Sequence, residues 1–187
     1  MNIIPTELDG VVCIEPRVFG DHRGFFMETW RESWCESLGP NVRFVQDNHS
    51  FSEKGILRGL HYQIQNPQGK LVRVVSGEVY DVAVDMRRNS PNFGKWVGRY
   101  LSGENKVMMW IPPGFAHGFV VVSDYAEFLY KCTEYYSPEH DRTLLWNDPT
   151  LNISWPLEKA GTLSLSEKDK KGARFLEADV FEDITSL

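Results

Sequence analysis

Tyr80-Asp81-Val82-Ala83-Val84-Asp85-Met86 is the most strand-like stretch of the chain. Tyr80, Val82, Val84 and Met86 alternate with Asp81, Ala83 and Asp85, the period of two expected of a strand with one buried face. The strand signal runs back to Lys70, with Ser76-Gly77-Glu78 reading as a turn before the alternating run. Beyond it, Asn89-Ser90-Pro91-Asn92 is a loop and Trp96 to Leu101 a strand. Val107 to Ile111 then leads into the turn Pro112-Pro113-Gly114. His117 to Val122 and Ala126 to Thr133 read as a strand pair across Ser123-Asp124. Short strands with a turn about every 8–12 residues predict an all-β sandwich or barrel rather than alternating β and α units.

The flanks agree with that class. Val11 to Ile14 is a short β-branched run ending near Pro16, which predicts an edge strand. Phe19 to Glu28 carries turn pairs, Gly20-Asp21 and Arg23-Gly24, followed by an aromatic strand. Arg31 to Leu38, stopped by Gly39-Pro40, predicts a short helix, and Val42 to Ser50 is extended. After Trp155-Pro156 the chain turns polar, and Ser166 is placed to cap a short helix beginning Glu167-Lys168-Asp169.

At 187 residues the chain fits a single domain, 1–187, in which a C-terminal segment of about 157–187 packs on the barrel. A formal charge of −6 argues against a nucleic-acid polymer as partner, yet allows a small phosphorylated ligand met by a few clustered cations. Cys13, Cys35 and Cys132 form no C-x-x-C pair and no disulfide framework, which suits a reducing cytoplasm. Met1 to Gly10 has no signal-peptide character. No apolar run approaches the roughly 20 residues of a membrane span, so no membrane partner is expected.

The chemistry concentrates in Leu57-Arg58-Gly59-Leu60-His61-Tyr62-Gln63, continuing to Lys70. Histidine is the side chain suited to taking a proton near neutral pH, and Arg58 and Lys70 suit an anionic substrate. Gly55 and Gly59 leave room for close backbone packing. A histidine in a barrel strand near glycine invites comparison with the metal motifs of cupins. Gly55 and His61 fit G-x5-H-x-H, but Gln63 stands where the second His belongs and no Glu follows. Pro112, Gly114 and His117 fit P-x-G-x2-H. Two of four ligands are missing, too few for a catalytic metal, so neither metal nor cofactor is expected.

Several segments in register resemble one family. They are Asp21 to Glu28 (D-x-R-G-x-F-x-E), Gln46 to Ser50 (Q-x-N-x-S), Leu57 to Gln63 and Val84 to Arg87 with Ser90-Pro91-x-Phe93-Gly94. Ile111 to Phe119, Tyr130-Lys131, Trp146 to Pro149 and Ser166-x-Lys168-Asp169 follow in order. Together they resemble the dTDP-4-dehydrorhamnose 3,5-epimerases, metal-free cupin-like enzymes, across almost the whole chain. The resemblance implies a double-stranded β-helix (jelly roll) with a few short helices. It also implies proton abstraction and return at C3 and C5 of a dTDP-linked 4-keto-6-deoxy sugar, in dTDP-L-rhamnose biosynthesis.

By that resemblance His61 is the base, Tyr130 the acid, and Asp169 orients His61. Lys70 stabilises enolate charge, and Arg23, Arg58 and Lys168 contact nucleotide or sugar. Glu28, Gln46, Asn48 and His117 match further substrate contacts, and Phe26 and Tyr136 are candidates to stack on thymine. Asp141 stands where relatives often have Glu, in a loop (Glu139 to Arg142) unlike theirs. Relatives are homodimers whose N-terminal region reaches the partner's site, so a homodimer is expected.

Each residue has a plainer reading. Tyr130 lies among aromatics as a core residue would, and Asp169 lies in a Lys-rich run typical of a solvated surface. His117 could satisfy backbone groups, Arg58 could pair with Glu53, and Trp96, Trp110, Trp146 and Trp155 suit packing. Other functions on the same fold are a single-carbon epimerase or ketoisomerase, a metal-dependent oxygenase and a sugar-binding cupin.

Overall fold

Two long strands carry the architecture of the computed structural model, which describes residues 1–182. In chain order the strands are β1 (Asn2–Pro5), β2 (Val12–Glu15), β3 (Val18–Asp21), β4 (Gly24–Met27), β5 (Gln46–Glu53) and β6 (Leu57–Gln63). They continue with β7 (Lys70–Asp85), β8 (Trp96–Ser102), β9 (Met108–Ile111), β10 (Phe115–Cys132) and β11 (Asp141–Thr143). Helix α1 (Cys35–Leu38) follows a 3-10 turn over Glu32–Trp34, while α2 (Leu157–Ala160) and α3 (Glu167–Lys170) lie in the C-terminal part.

β7 and β10 pair antiparallel over nearly their whole length, from Phe115 opposite Asp85 to Cys132 opposite Lys70. Each changes neighbours halfway. The first half of β7 pairs with β9 and the second with β8. The first half of β10 pairs with β6 and the second with β5. One layer is therefore β1-β2-β9-β7-β10-β5 and the other β8-β7-β10-β6-β11, an all-β jelly roll.

The bends fall where turns were expected. Ser76-Gly77-Glu78 does not end a strand. Gly77 has φ +78°, and a Cβ there would lie 1.9 Å from Tyr125 O, so the strand bends without stopping. Ser123-Asp124 is likewise a bulge inside β10 rather than a hairpin, with Ser123 Oγ accepting from Glu78 N at 2.7 Å. The local residues signal a break in the ladder, and burial of the residues on both sides continues the strand through it. Val12–Glu15 is not an edge strand either, because β1 pairs outside it and β9 inside.

Burial along Tyr80–Met86 differs from the one-sided pattern expected. Asp81, Ala83 and Asp85 face between the layers, where Val79 and Ala83 join a core with Val72, Phe115, Phe119 and Phe128. Val82, Val84 and Met86 point outward and are still wholly buried, under Leu144, Leu151, Trp155, Phe175 and Phe181. The C-terminal segment, as far as residue 182, covers that layer; 183–187 lie outside the described residues. The outer face of the other layer is covered only in part, by Trp34 and Leu38 over Ile14, Leu71, Met108 and Trp110. Val75, Phe51 and Tyr125 remain exposed there.

β3 and β4 pair only with each other and stand off the barrel as a hairpin. Among the described residues no helix is long and apolar enough to cross a membrane.

Candidate active site

β6 meets β10 at two glycines. A Cβ on Gly59 (φ +124°) would lie 2.5 Å from Gly118 Cα, and one on Gly118 would lie 2.6 Å from Arg58 O. A Cβ on Gly55 would lie 2.2 Å from Thr162 O. Side chains cannot be accommodated there, which is the close packing the glycines of this stretch predicted. The register shifts beside the contact, and His61 comes to sit opposite His117 with both facing the space between the layers.

His61 Nε2 lies 2.5 Å from Asp169 Oδ1. Asp169 comes from α3, where Ser166 acts as the expected N-cap, its Oγ accepting from Asp169 N at 3.1 Å. Ser166 Oγ also donates to Asp169 Oδ2 at 2.8 Å, so both carboxylate oxygens are held. The side chain predicted by its neighbours to be solvated is 5% exposed.

Burial holds the His61 imidazole below its ordinary pKa, while the Asp169 hydrogen bond and charge pull upward; Lys168 and Lys70 push down as well. Burial alone would raise Asp169, but the hydrogen bond and charge of His61, with Ser166 and Lys168, leave it below the usual carboxylate value. The pair is therefore a neutral imidazole donating Nε2–H to a carboxylate, with Nδ1 as the basic nitrogen.

Tyr130 reaches the same space from the second half of β10, beside Phe128 and opposite Asn48 and Val72. Burial raises its phenol pKa, so it is protonated at neutral pH. Lys70 points into the space as well. Burial lowers its pKa, and among the described residues it has no ion-pair partner.

A cavity of about 280 Å³ lies between these groups, lined by Arg58, His61, Lys70, His117, Tyr130, Lys168 and Asp169 among others. An adjoining one of about 340 Å³ shares His61, Lys70, Tyr130 and Lys168, and adds Gln46, Asn48, Tyr136 and Asp141. Tyr136 Oη donates to Asp141 Oδ2 at 3.0 Å, and Lys168 Nζ pairs with the same oxygen. Arg58 Nε donates to Ser52 Oγ at 3.0 Å instead of pairing with Glu53. Arg23, Phe26 and Glu28 line neither cavity. Arg23 pairs with Asp21, Glu28 with Arg31, and Phe26 is 68% exposed, because no other strand pairs with the hairpin.

His117 does not serve the backbone. Its Nε2 lies 3.0 and 2.9 Å from the two carboxylate oxygens of Asp81, which is fully buried. Asp81 escaped notice because an acidic residue in an alternating strand reads as the wet face. Gln63 and Gln68 were not among the expected site residues, though both reach the rim of the cavity. Among the described residues no group of three or more His, Cys, Asp or Glu side chains is placed to hold a metal ion.

The dTDP-4-dehydrorhamnose 3,5-epimerase family model matches residues 5–177. A dTDP-4-dehydrorhamnose 3,5-epimerase of Pseudomonas aeruginosa is 62% identical, over 97% of this chain and 99% of its own. One from Shigella flexneri is 56% identical over 97% and 99%. The crystal structure of a dTDP-6-deoxy-D-glucose-3,5-epimerase from Legionella pneumophila, in complex with dTDP-4-keto-L-rhamnose, superposes with a TM-score of 0.93. It is 52% identical and covers 97% of this chain and 98% of its own. The β-jelly roll is thus shared with named epimerases over nearly the whole chain, and the chain belongs to the dTDP-4-dehydrorhamnose 3,5-epimerase family.

Proposed function

We propose that this protein inverts C3 and C5 of dTDP-4-dehydro-6-deoxy-D-glucose, giving dTDP-4-dehydro-L-rhamnose for dTDP-L-rhamnose biosynthesis. The observation that carries the residue roles is the His61–Asp169 pair facing Tyr130 across one cavity, from opposite layers of the barrel. Hydrogens on C3 and C5 flank the C4 ketone and are acidic. His61 Nδ1 takes one, the electron pair moves onto O4 as an enolate, and the Lys70 ammonium offsets that charge. Tyr130 returns a proton from the opposite face; His61 then releases the proton it took to solvent and Tyr130 takes one back, which resets both groups. The same two groups act again at the other carbon. The sequence is redox-neutral and calls on no cofactor.

Asp169 keeps Nε2 protonated and the ring aimed. Arg58 and Lys168 suit the pyrophosphate, while Gln46, Asn48, His117 and Asp141 hold the remainder of the ligand, and Tyr136 is placed at the mouth for the thymine. The working unit is a cytoplasmic homodimer of single-domain chains. Exposed Phe19, Phe25 and Phe26 on the hairpin, with the partly open outer face of one layer, support a second copy docking there. That copy's hairpin would bring Arg23, Phe26 and Glu28 to the cavity.

Incubation with the 4-keto sugar nucleotide in heavy water tests the reading. Deuterium at both C3 and C5 is expected. Deuterium at one carbon alone would make it a single-carbon epimerase, and none at either would refute epimerisation. Tyr130→Phe is expected to retain some exchange while losing inversion.

A further inference from the structure

The segment after β10 forms part of the cavity mouth without any strand partner. Its two aromatic rings do not anchor it in a core, since Tyr135 is 66% and Tyr136 55% exposed. It is held by glutamine amides instead. Gln63, at the end of β6 and 3% exposed, donates from Nε2 to Asn66 O at 2.8 Å and to Tyr135 O at 3.2 Å. Its Oε1 accepts from Ser137 N at 2.8 Å. Gln46 Oε1 accepts from Tyr136 N at 3.0 Å, and Gln68 Nε2 donates to Glu134 O at 2.8 Å.

An amide is the one small side-chain group that presents donors and an acceptor side by side without charge. Gln63 uses both capacities on the two residues flanking Tyr136. A histidine there, as in metal-binding cupins, could not donate twice and accept once in that geometry, and a carboxylate would oppose two carbonyl oxygens.

We propose that Gln63 is a positioning residue for the nucleotide end of the substrate. Its amide clamps the backbone on either side of Tyr136 and so fixes that ring at the mouth, two residues along the strand from the base but outside the proton-transfer step. The proposal rests on the functional reading above, and it assigns Gln63 to affinity rather than to turnover.

The probe is dTDP alone, titrated calorimetrically, alongside steady-state kinetics on the keto sugar. Gln63→Met preserves length and removes every hydrogen bond. It should weaken dTDP binding and raise KM about tenfold, the scale of a lost buried hydrogen-bond set, with kcat within about twofold. In a Tyr136→Ala background the same change should do nothing more, because a clamp acting through Tyr136 has no ring left to hold. A general structural role would instead give additive losses, and that result would overturn the proposal. So would unchanged dTDP affinity, or a fall in kcat at constant KM. Should Gln63→Met fail to fold, Gln63→Glu keeps the acceptor for Ser137 N–H, loses both donors, and is read the same way. A wild-type protein that exchanged no deuterium would sink the functional reading itself. Equal affinities on an active enzyme would sink only the clamp.

Discussion

The barrel holds two histidine–aspartate pairs a strand apart, and they are built differently. His61 belongs to β6, but its carboxylate arrives from α3, more than a hundred residues later. The imidazole is 31% exposed and contacts one oxygen of Asp169, while Ser166 holds the other. His117 and Asp81 both belong to the spine strands β10 and β7, are 8% and 0% exposed, and meet through both carboxylate oxygens. Burial raises the pKa of Asp81, opposed by His117 and Lys70, whereas Asp169 is held low. The first pair leaves an imidazole nitrogen for a ligand and fixes the carboxylate as an anion. The second is a joint between the two central strands, in which Asp81 is fully buried and only the largely buried imidazole borders the cavity. Chemically identical partners thus suit the proposed proton transfer in one case and position and stability in the other, and accessibility is what separates them.

Substitutions at the two pairs should therefore part company. His61→Ala is expected to remove deuterium exchange at C3 and C5, a loss of about 10⁴-fold or more, because the base itself is gone. Full turnover by that variant would end the assignment. Asp169→Asn keeps the size but not the charge, and a loss of about 10²–10³-fold in kcat is expected, read in the same assay with thermal melting as a control. His117→Ala should chiefly cost stability. It leaves the Asp81 carboxyl buried without its partner, about 1–3 kcal/mol, or a Tm lower by about 5 °C, with kcat falling less than in either variant above. If His117→Ala abolished exchange at unchanged Tm, the contrast would collapse. The smallest effect is on pH. Protonation of His61 removes the base, and burial sets its pKa below 6.5, so the acid limb of kcat/KM should fall below pH 6.5. In Asp169→Asn the upward pull on His61 is gone, and what activity remains should persist to lower pH still.

The motifs around His61, Tyr130 and Asp169 were legible because residue type and spacing survive in the linear chain. The cap at Ser166 was legible for the same reason, since it depends on contacts three residues apart. The assignment of Asp81 and Val82 to opposite environments was not. Alternation reports two faces, and it does not report that a segment from Leu144 to Phe181 covers the outer one. With that cover in place, Val82 and Val84 point away from the cavity and Asp81 points into the barrel. The turns at Ser76-Gly77-Glu78 and Ser123-Asp124 failed in a related way. Gly77 and Ser123 do break the ladder, and only their opposition across the β7–β10 pair converts two breaks into one bend shared by long strands.

The hairpin bearing Arg23, Phe26 and Glu28 marks a different boundary. Its turn residues specify it locally, but it pairs with no other strand of the chain and its aromatics stay exposed.

Residue order by itself determined the strand-rich class, the residue types proposed for proton transfer, and the mismatch to the cupin metal motif at Gln63. Those follow from side-chain chemistry and short-range spacing. Only the tertiary structure decided which imidazole is the more open to the cavity, which carboxylate holds it, and which amide holds the rim. Those depend on burial, and burial is set by what the distant parts of the chain lay over each face.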